Sequence, residues 1–418
     1  MKLKITYYFI YHILFLSLVS CNSSSQKNIL QKFKDIDPEI YETDVKDMLF
    51  SNNTPKFVTV TDVSPKNIYQ SLLFDTITFV RLSNDPEALI GVIDKIVIKD
   101  SSIYILDRYK TKTIKKFTLE GDFICAIGSR GEGPDEYFEP TDFNVYENEI
   151  LVYDQFKSDI KYYDLEGRLK YRKMLPFIFI KFACLSPNNY IFQSVNSENG
   201  HLQSILDYAF FTSDSKFVIS YRGFYSPINM YKNFIDNNFY PINKKIFYHP
   251  IYNDTIYSIN NNNDINVEYV FNFRGKKLLP QEFRLEKNQN DFKEISKTDT
   301  YIIFSGAIIP TNDYLCFEYS INQLVYQGIY SIRTGKTITY STLVNDVNPL
   351  FGFSKILTSI SDDVFVGYTQ PDDDFVSFFK ENSKESLINH FGANLVKSME
   401  TITSEDNPLL VFYKIKKF

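Results

Sequence analysis

Two stretches of the chain are variants of one another. Ile103 to Gly128 reads IYILDRYKTKTIKKFTLEGDFICAIG, and Ile150 to Leu175 reads ILVYDQFKSDIKYYDLEGRLKYRKML. Asp107 aligns with Asp154 and Ile114 with Ile160, given one residue of slack in the first loop. The LEG triplet at 119–121 then falls on the triplet at 165–167, 46 residues further on. In each copy a β-rich run ends in Asp, a polar turn follows, an alternating strand comes next, and a glycine turn leads into another strand. Alternation marks strands with one buried face, and Gly after an acidic residue is a hairpin signal.

An all-β unit repeating every 40–50 residues is the grammar of a propeller blade, because a four-stranded blade needs neighbours to cover its faces. Later segments repeat the pattern less regularly: YAFFTSDSKFVISYRGF, KIFYHPIYNDTIYSINNNNDINVEYVFNF, YIIFSGAIIPTNDYLCFEYS and YQGIYSIRTGKTITYST. The reading is an all-β, six-bladed β-propeller of four-stranded antiparallel blades with minor helical insertions. Its last strand pairs with N-terminal material to remove an exposed edge. Leu279–Ile295 and Ser383–Met399 carry the helical pattern, the second through Leu387, Ile388, Phe391 and Leu395. The 38 Phe and 31 Tyr suit strands and the interfaces between blades.

The stretch GSRGEGPDEYFEP, Gly128 to Pro140, invites a phosphate-loop reading. Such a loop would open a helix and carry Lys then Ser or Thr; here Pro134 and the acids Glu132, Asp135 and Glu136 follow the glycines. It reads as a structural loop between blades. Gly131 and Gly133 are expected at positive φ, with Pro134 stiffening the crossing, and Glu136 and Tyr137 complete it.

The N-terminus is an address. Lys2 and Lys4 precede the apolar run ITYYFIYHILFLSLV, and LVSC ends at Cys21, which together describe a secretory signal. Cysteine at the cut resembles the bacterial lipobox, which implies that Cys21 becomes the first residue and carries lipid. The expected organisation is a signal peptide over 1–20, a polar tether over 21–35, and one propeller domain over 36–418. Cys125, Cys184 and Cys316 each sit in apolar surroundings and read as buried free thiols.

FDTITFVRLSNDPEALIGVIDKIVIKDSSIYILD, followed by LEGDFICAIGSRGEGPDEYFEPTDF, resembles the NHL-like six-bladed β-propeller lipoproteins of Bacteroidetes. The likeness includes the G-x-G-P-x-E-[YF] loop at Gly131, Gly133, Pro134, Glu136 and Tyr137. Asp135 stands where glycine is often found. IYNDTIYSI (251–259) and EDNPLLVFYKIK (405–416) echo it further on. The resemblance implies the fold and an envelope address; members mostly lack an established activity. Surface-exported lipoproteins of these bacteria often carry acids after the lipidated cysteine, and NSSSQKN has none, which favours the periplasmic face of the outer membrane.

A net charge of −6 and a pI near 5.5 argue against a nucleic-acid partner. No G-x-S-x-G is present, the mature histidines (His201, His249, His390) are scattered, and no CxxC exists, so neither a serine hydrolase nor a zinc centre is indicated. Asp372–Asp374 is the densest acidic cluster but lacks EF-hand spacing. No cofactor or metal is called for. The segment 223–250, dense in Tyr, Phe and Asn, offers Tyr225, Tyr231, Phe239 and Tyr240 as candidate binding residues, since tyrosines present a stacking face with a polar tip. The chain thus reads as a lipid-anchored binding or scaffold module for an envelope protein, peptide or glycan, a reading favoured over an enzyme without closing that question. The alternative is a glycan-active hydrolase or lyase working from the central funnel.

Overall fold

Six antiparallel sheets stand in a ring in the computed structural model, which describes residues 33–61, 66–194, 199–225, 239–284, 289–344, 346 and 356–418. Blade 1 is Lys95–Lys99, Ser102–Asp107, Thr113–Thr118 and Phe123–Ala126, from the axis outward. Blade 2 is Pro140–Tyr146, Glu149–Asp154, Asp159–Tyr163 and Leu169–Met174. Blades 3, 4 and 5 begin with Phe179–Ser186, Phe239–Ile242 and Tyr301–Pro310. Blade 6 is Ile356–Ser359, Val364–Thr369 and Leu409–Ile415, completed by Phe74–Arg81 from the other end of the chain. That antiparallel pairing, Leu409 opposite Arg81 through Ile415 opposite Phe74, closes the ring as expected.

Before it reaches blade 6, the N-terminal segment runs along the outside of the preceding blades. Lys46–Asp47 pairs in parallel with the outer strand of blade 3, Lys56–Val60 with that of blade 4, and Asn67–Tyr69 with Thr342–Val344 beyond blade 5. The sequence did not announce this belt. Phe33 is already buried and stacks on His201 with ring centroids 4.9 Å apart. The packed body therefore starts two residues before the expected end of the tether. The leader, Cys21 and Tyr231 lie outside the described residues.

Aromatics join neighbouring blades. Tyr153 of blade 2 stacks on Phe179 of blade 3 at 3.7 Å, Phe210 of blade 3 meets Tyr248 of blade 4 at 5.0 Å, and Phe271 of blade 4 meets Phe317 of blade 5 at 4.8 Å. Such pairs contribute about 0.5–1.5 kcal/mol beyond the area they bury. Cys184 is buried between blades 2 and 3, Cys316 between blades 5 and 6, and Cys125 is half-buried, all three as free thiols.

The LEG glycines do more than turn a hairpin. Gly121 and Gly167 have φ of +96° and +81°, and a Cβ there would stand 2.2 Å from the Arg81 carbonyl and 2.3 Å from that of Ala126. Each turn is thus pressed against the outer strand of the blade before it. Ser83 N–H donates to the Gly121 carbonyl, and Gly128 N–H to that of Gly167.

The 128–140 loop is structural, but not for the reason expected. Gly131 and Gly133 are not among the residues at positive φ. The need for glycine at 131 is room: a Cβ would fall 1.8 Å from Glu136 Oε2, the atom that accepts the Gly133 N–H at 2.9 Å. The Lys157 ammonium fills the centre of the loop, donating to the carbonyls of Gly133 (2.7 Å), Glu136 (2.6 Å) and Gly131 (3.2 Å). Arg172 holds the Pro134 carbonyl from outside, and Tyr137 is fully buried between blades 1 and 2.

Helices decorate the ring at Gln289–Ile295, Asp373–Glu381, Lys384–Phe391 and Ala393–Met399. Gly392, at φ +81°, breaks the second predicted helical stretch in two. The acidic cluster is resolved as a helix start. Asp372 caps Asp373–Glu381 by accepting from Phe375 N–H, and Asp373 and Asp374 occupy the first turn, where a negative charge suits the helix dipole. Among the described residues no helix is long and apolar enough to cross a membrane.

His249 is buried at the start of the loop after the second strand of blade 4, donating from Nε2 to the Asn253 carbonyl at 2.9 Å. Burial lowers its pKa to about 4, whereas an unfolded histidine titrates near 6.5. Between those values the unfolded chain takes up a proton that the folded chain refuses. Stability is therefore full above pH 6.5 and falls by up to about 3 kcal/mol on the way to pH 4. Urea midpoints measured across that range should drop in the native protein, and His249→Gln should flatten the slope.

Candidate functional site

Each blade is a meander, so the loops between second and third strands share a face with the crossings from blade to blade. The helices in blade 6 and before blade 5 stand on that face, while several turns on the other are very short. Asp100–Ser101 and Asn243–Lys244 are two-residue hairpin turns with both residues at positive φ, the geometry whose twist matches flanking strands.

On the loop face the aspartates of the repeat are the organisers. Asp107 is buried and accepts from the amides of Gly91 (2.7 Å), Lys110 (2.9 Å) and Thr111 (3.0 Å). Burial opposes its ionisation, yet those amides outweigh it and hold the carboxyl below its ordinary pKa. Asp154 does the same in blade 2, accepting from Phe138 at 2.6 Å, Phe156 at 2.9 Å and Lys157 at 3.1 Å. Each carboxylate ties its own turn to the segment leading into its blade, so the turn has a fixed shape.

Two residues beyond each aspartate the fixed turn presents an aromatic ring to solvent: Tyr109 is 47% exposed and Phe156 is 60% exposed. Phe138 stands edge-on to Phe156, with centroids 5.4 Å apart. The Arg108 guanidinium lies 5.7 Å from the Tyr109 ring centre, and Lys112 pairs with Glu139 nearby. Burial, then the charge of Asp94, raises the Tyr109 phenol above its ordinary pKa.

Below this rim a charged floor crosses the first three blades. Lys95 donates to Asp142 Oδ1 at 2.8 Å and to the Phe143 carbonyl at 2.7 Å. Asp142 Oδ2 accepts the Phe182 amide at 3.1 Å. Lys181 Nζ stands 3.8 Å from Asp94 and 3.9 Å from Asp142. Burial pulls the Lys95 ammonium below its ordinary pKa, against the opposing pull of Asp142. A cavity of about 50 Å³ adjoins this floor, lined by Asp94, Lys95, Tyr240, Glu318 and Gln327 among others. It has room for a few waters. Asp142 is wholly buried and committed to its partners. Among the described residues no three His, Cys, Asp or Glu side chains are grouped to hold a metal.

The candidate binding residues read from the sequence are dispersed. Tyr240 lines the cavity, Phe239 is 1% exposed against Tyr248 in the core, and Tyr225 is exposed beside Tyr208. Phe239 is therefore a core residue: it opens the innermost strand of blade 4 and faces blade 3. Sequence reasoning missed Tyr109 and Phe156, although the aligned repeat places an aromatic two residues after each Asp.

The ring, its closure and its loop-bearing face define a six-bladed β-propeller. The family model for the domain of unknown function DUF4934 matches residues 56–414, so the chain belongs to that family. A candidate exported protein from Bacteroides fragilis NCTC 9343 is similar in structure, with a TM-score of 0.68 and 22% identity over 86% of this chain and 100% of that one. A DUF4221 family member from Bacteroides vulgatus gives a TM-score of 0.49 and 10% identity over 82% of this chain and 97% of that one. Comparison with curated proteins finds no match.

Proposed function

We propose that this protein is an exported, lipid-anchored binding module that holds a protein, peptide or glycan partner of the cell envelope on the loop face of its propeller. The observation that carries the reading is the pair of rings, Tyr109 and Phe156, held outward at equivalent repeat positions by buried aspartates. Rigid aromatics lose little entropy on binding and suit a recognition surface, and the Arg108, Lys112 and Glu139 charges beside them supply polar selectivity. The lipobox-like LVSC supports anchoring at Cys21, and the acid-free NSSSQKN after it favours the periplasmic face of the outer membrane; the similarity to a candidate exported protein of B. fragilis agrees with a course out of the cytoplasm.

The test is quantitative co-purification from gently solubilised envelopes. The native chain should bring down a near-stoichiometric partner, or bind a glycan in a direct screen. Tyr109→Ala/Phe156→Ala should lose at least tenfold of that binding while keeping one cooperative unfolding transition, lowered by the loss of the Phe138–Phe156 pair. Cys21→Ala should leave the protein in the soluble fraction. A double aromatic variant that keeps its partner would sink the assignment of this face.

A further inference from the structure

Six of the seventeen large hydrophobic side chains exposed among the described residues lie between residues 40 and 72, on or beside the N-terminal belt. Three of them lie close together along the chain at blade 4: Leu49, Phe50 and Phe57 are 72%, 55% and 65% exposed. Their backbone is pinned. Ile265 N–H donates to the Leu49 carbonyl at 2.9 Å, Ser51 N–H to that of Ile265 at 2.8 Å, and the Asn53 amide bonds Val267 in both directions. An apolar group held outward on a fixed strand marks an interaction surface.

We infer that Leu49, Phe50 and Phe57 rest in the phospholipid surface to which the chain is anchored, so that the ring stands with the blade 4 edge against the bilayer. The inference rests on the proposed anchor at Cys21. Eleven residues lie between Cys21 and Phe33, a reach of at most about 40 Å, and Phe33 is packed on the adjoining blade 3. The tether therefore limits how far this sector of the ring can stand from the membrane. Charge is sparse here: from Met48 to Thr61 the sole charged residue is Lys56, and the acid just before this segment, Asp47, is paired with Arg222 at 2.6 Å. Lys56 turns away from Phe57 on this strand, its ammonium 5.9 Å from the Tyr269 ring centre, which leaves the phenylalanine rings to enter the acyl boundary.

The chain contains no tryptophan, so one introduced indole reports alone. Residues 1–21, which precede the packed body, are replaced by a hexahistidine tag. The protein is then captured on phosphatidylcholine–phosphatidylglycerol vesicles that carry a nickel-chelating lipid and brominated acyl chains. Phe57→Trp should lose more than half of its fluorescence to bromine. Ile124→Trp, exposed on the outer strand of blade 1 across the ring, should keep its own. Adding Leu49→Ser and Phe50→Ser to Phe57→Trp should restore most of the lost signal. Equal quenching at positions 57 and 124, no quenching at 57 despite capture, or a dimer in light scattering that these serines dissolve would each overturn the inference. Because the tag stands in for the lipid, such a failure leaves the Cys21 anchor to its own test.

Discussion

Asp142→Ala is expected to destabilise the protein by about 3–5 kcal/mol, the cost of stripping one partner from a buried ion pair. Asp142 is fully buried, takes Lys95 at 2.8 Å and the Phe182 amide at 3.1 Å, and lies 3.9 Å from Lys181. Without it two ammonium groups remain buried with Asp94 as the nearby acid, and one amide has lost its acceptor. Burial already draws Lys95 below its ordinary pKa, and the variant should draw it lower. The unfolded chain then binds a proton that the folded one sheds, so the variant's stability should rise with pH on the alkaline side. Lys95→Met/Asp142→Leu, which removes both charges, should recover most of the loss. Urea unfolding of the three proteins decides it: equal losses in the single and double variants would mean that packing, not charge, is what Asp142 supplies.

Deleting the chain through Leu82 is expected to abolish cooperative unfolding altogether. The deletion removes Phe74–Arg81, the outer strand of blade 6, and leaves Leu409–Ile415 as a bare edge. It also takes away Arg81, whose carbonyl faces Gly121 and whose guanidinium pairs with Asp406, so blades 6 and 1 lose their joint. An unpaired edge of this length templates aggregation. A chain beginning at residue 66 keeps that strand and loses the belt pairings on blades 3 and 4. It should remain folded, with a lower midpoint. Thermal scans and size-exclusion profiles of the two truncations separate closure from belt; a folded monomer from the shorter chain would contradict the closure argument.

Blades 1 and 2 were legible in the sequence because both keep the Asp that organises the turn and the Gly that meets the preceding blade. Later blades vary both positions. In blade 3 the job of holding the incoming segment passes to Asn199, which bonds Ile178 through both amide atoms, and an asparagine in a loop carries no such signal. The acidic run at Asp372–Asp374 looked like a cluster because charge was weighed before capping. The apolar Phe375, Val376 and Phe379 that follow, all buried, were the clue to a helix. The rim was hidden for a related reason: aromatics also fill the blade interfaces, and only the shape of the Asp107 and Asp154 turns distinguishes Tyr109 and Phe156 from them. Gly131 and Gly133 are expected at positive φ and are not found there; what crowds Gly131 is the Glu136 carboxylate, an approach that no local pattern encodes.

The order of the N-terminal pairings has a mechanical consequence. Tension applied at the first residues meets the short edge at Lys46–Asp47, then Lys56–Val60, then Asn67–Tyr69, before it reaches the seam at Phe74–Arg81. Met48, Val58 and Val60 of the belt are buried against the blades they touch, so each edge resists in turn. A pull on the N-terminus would be spent strand by strand before it loads the seam, and the ring would stay shut.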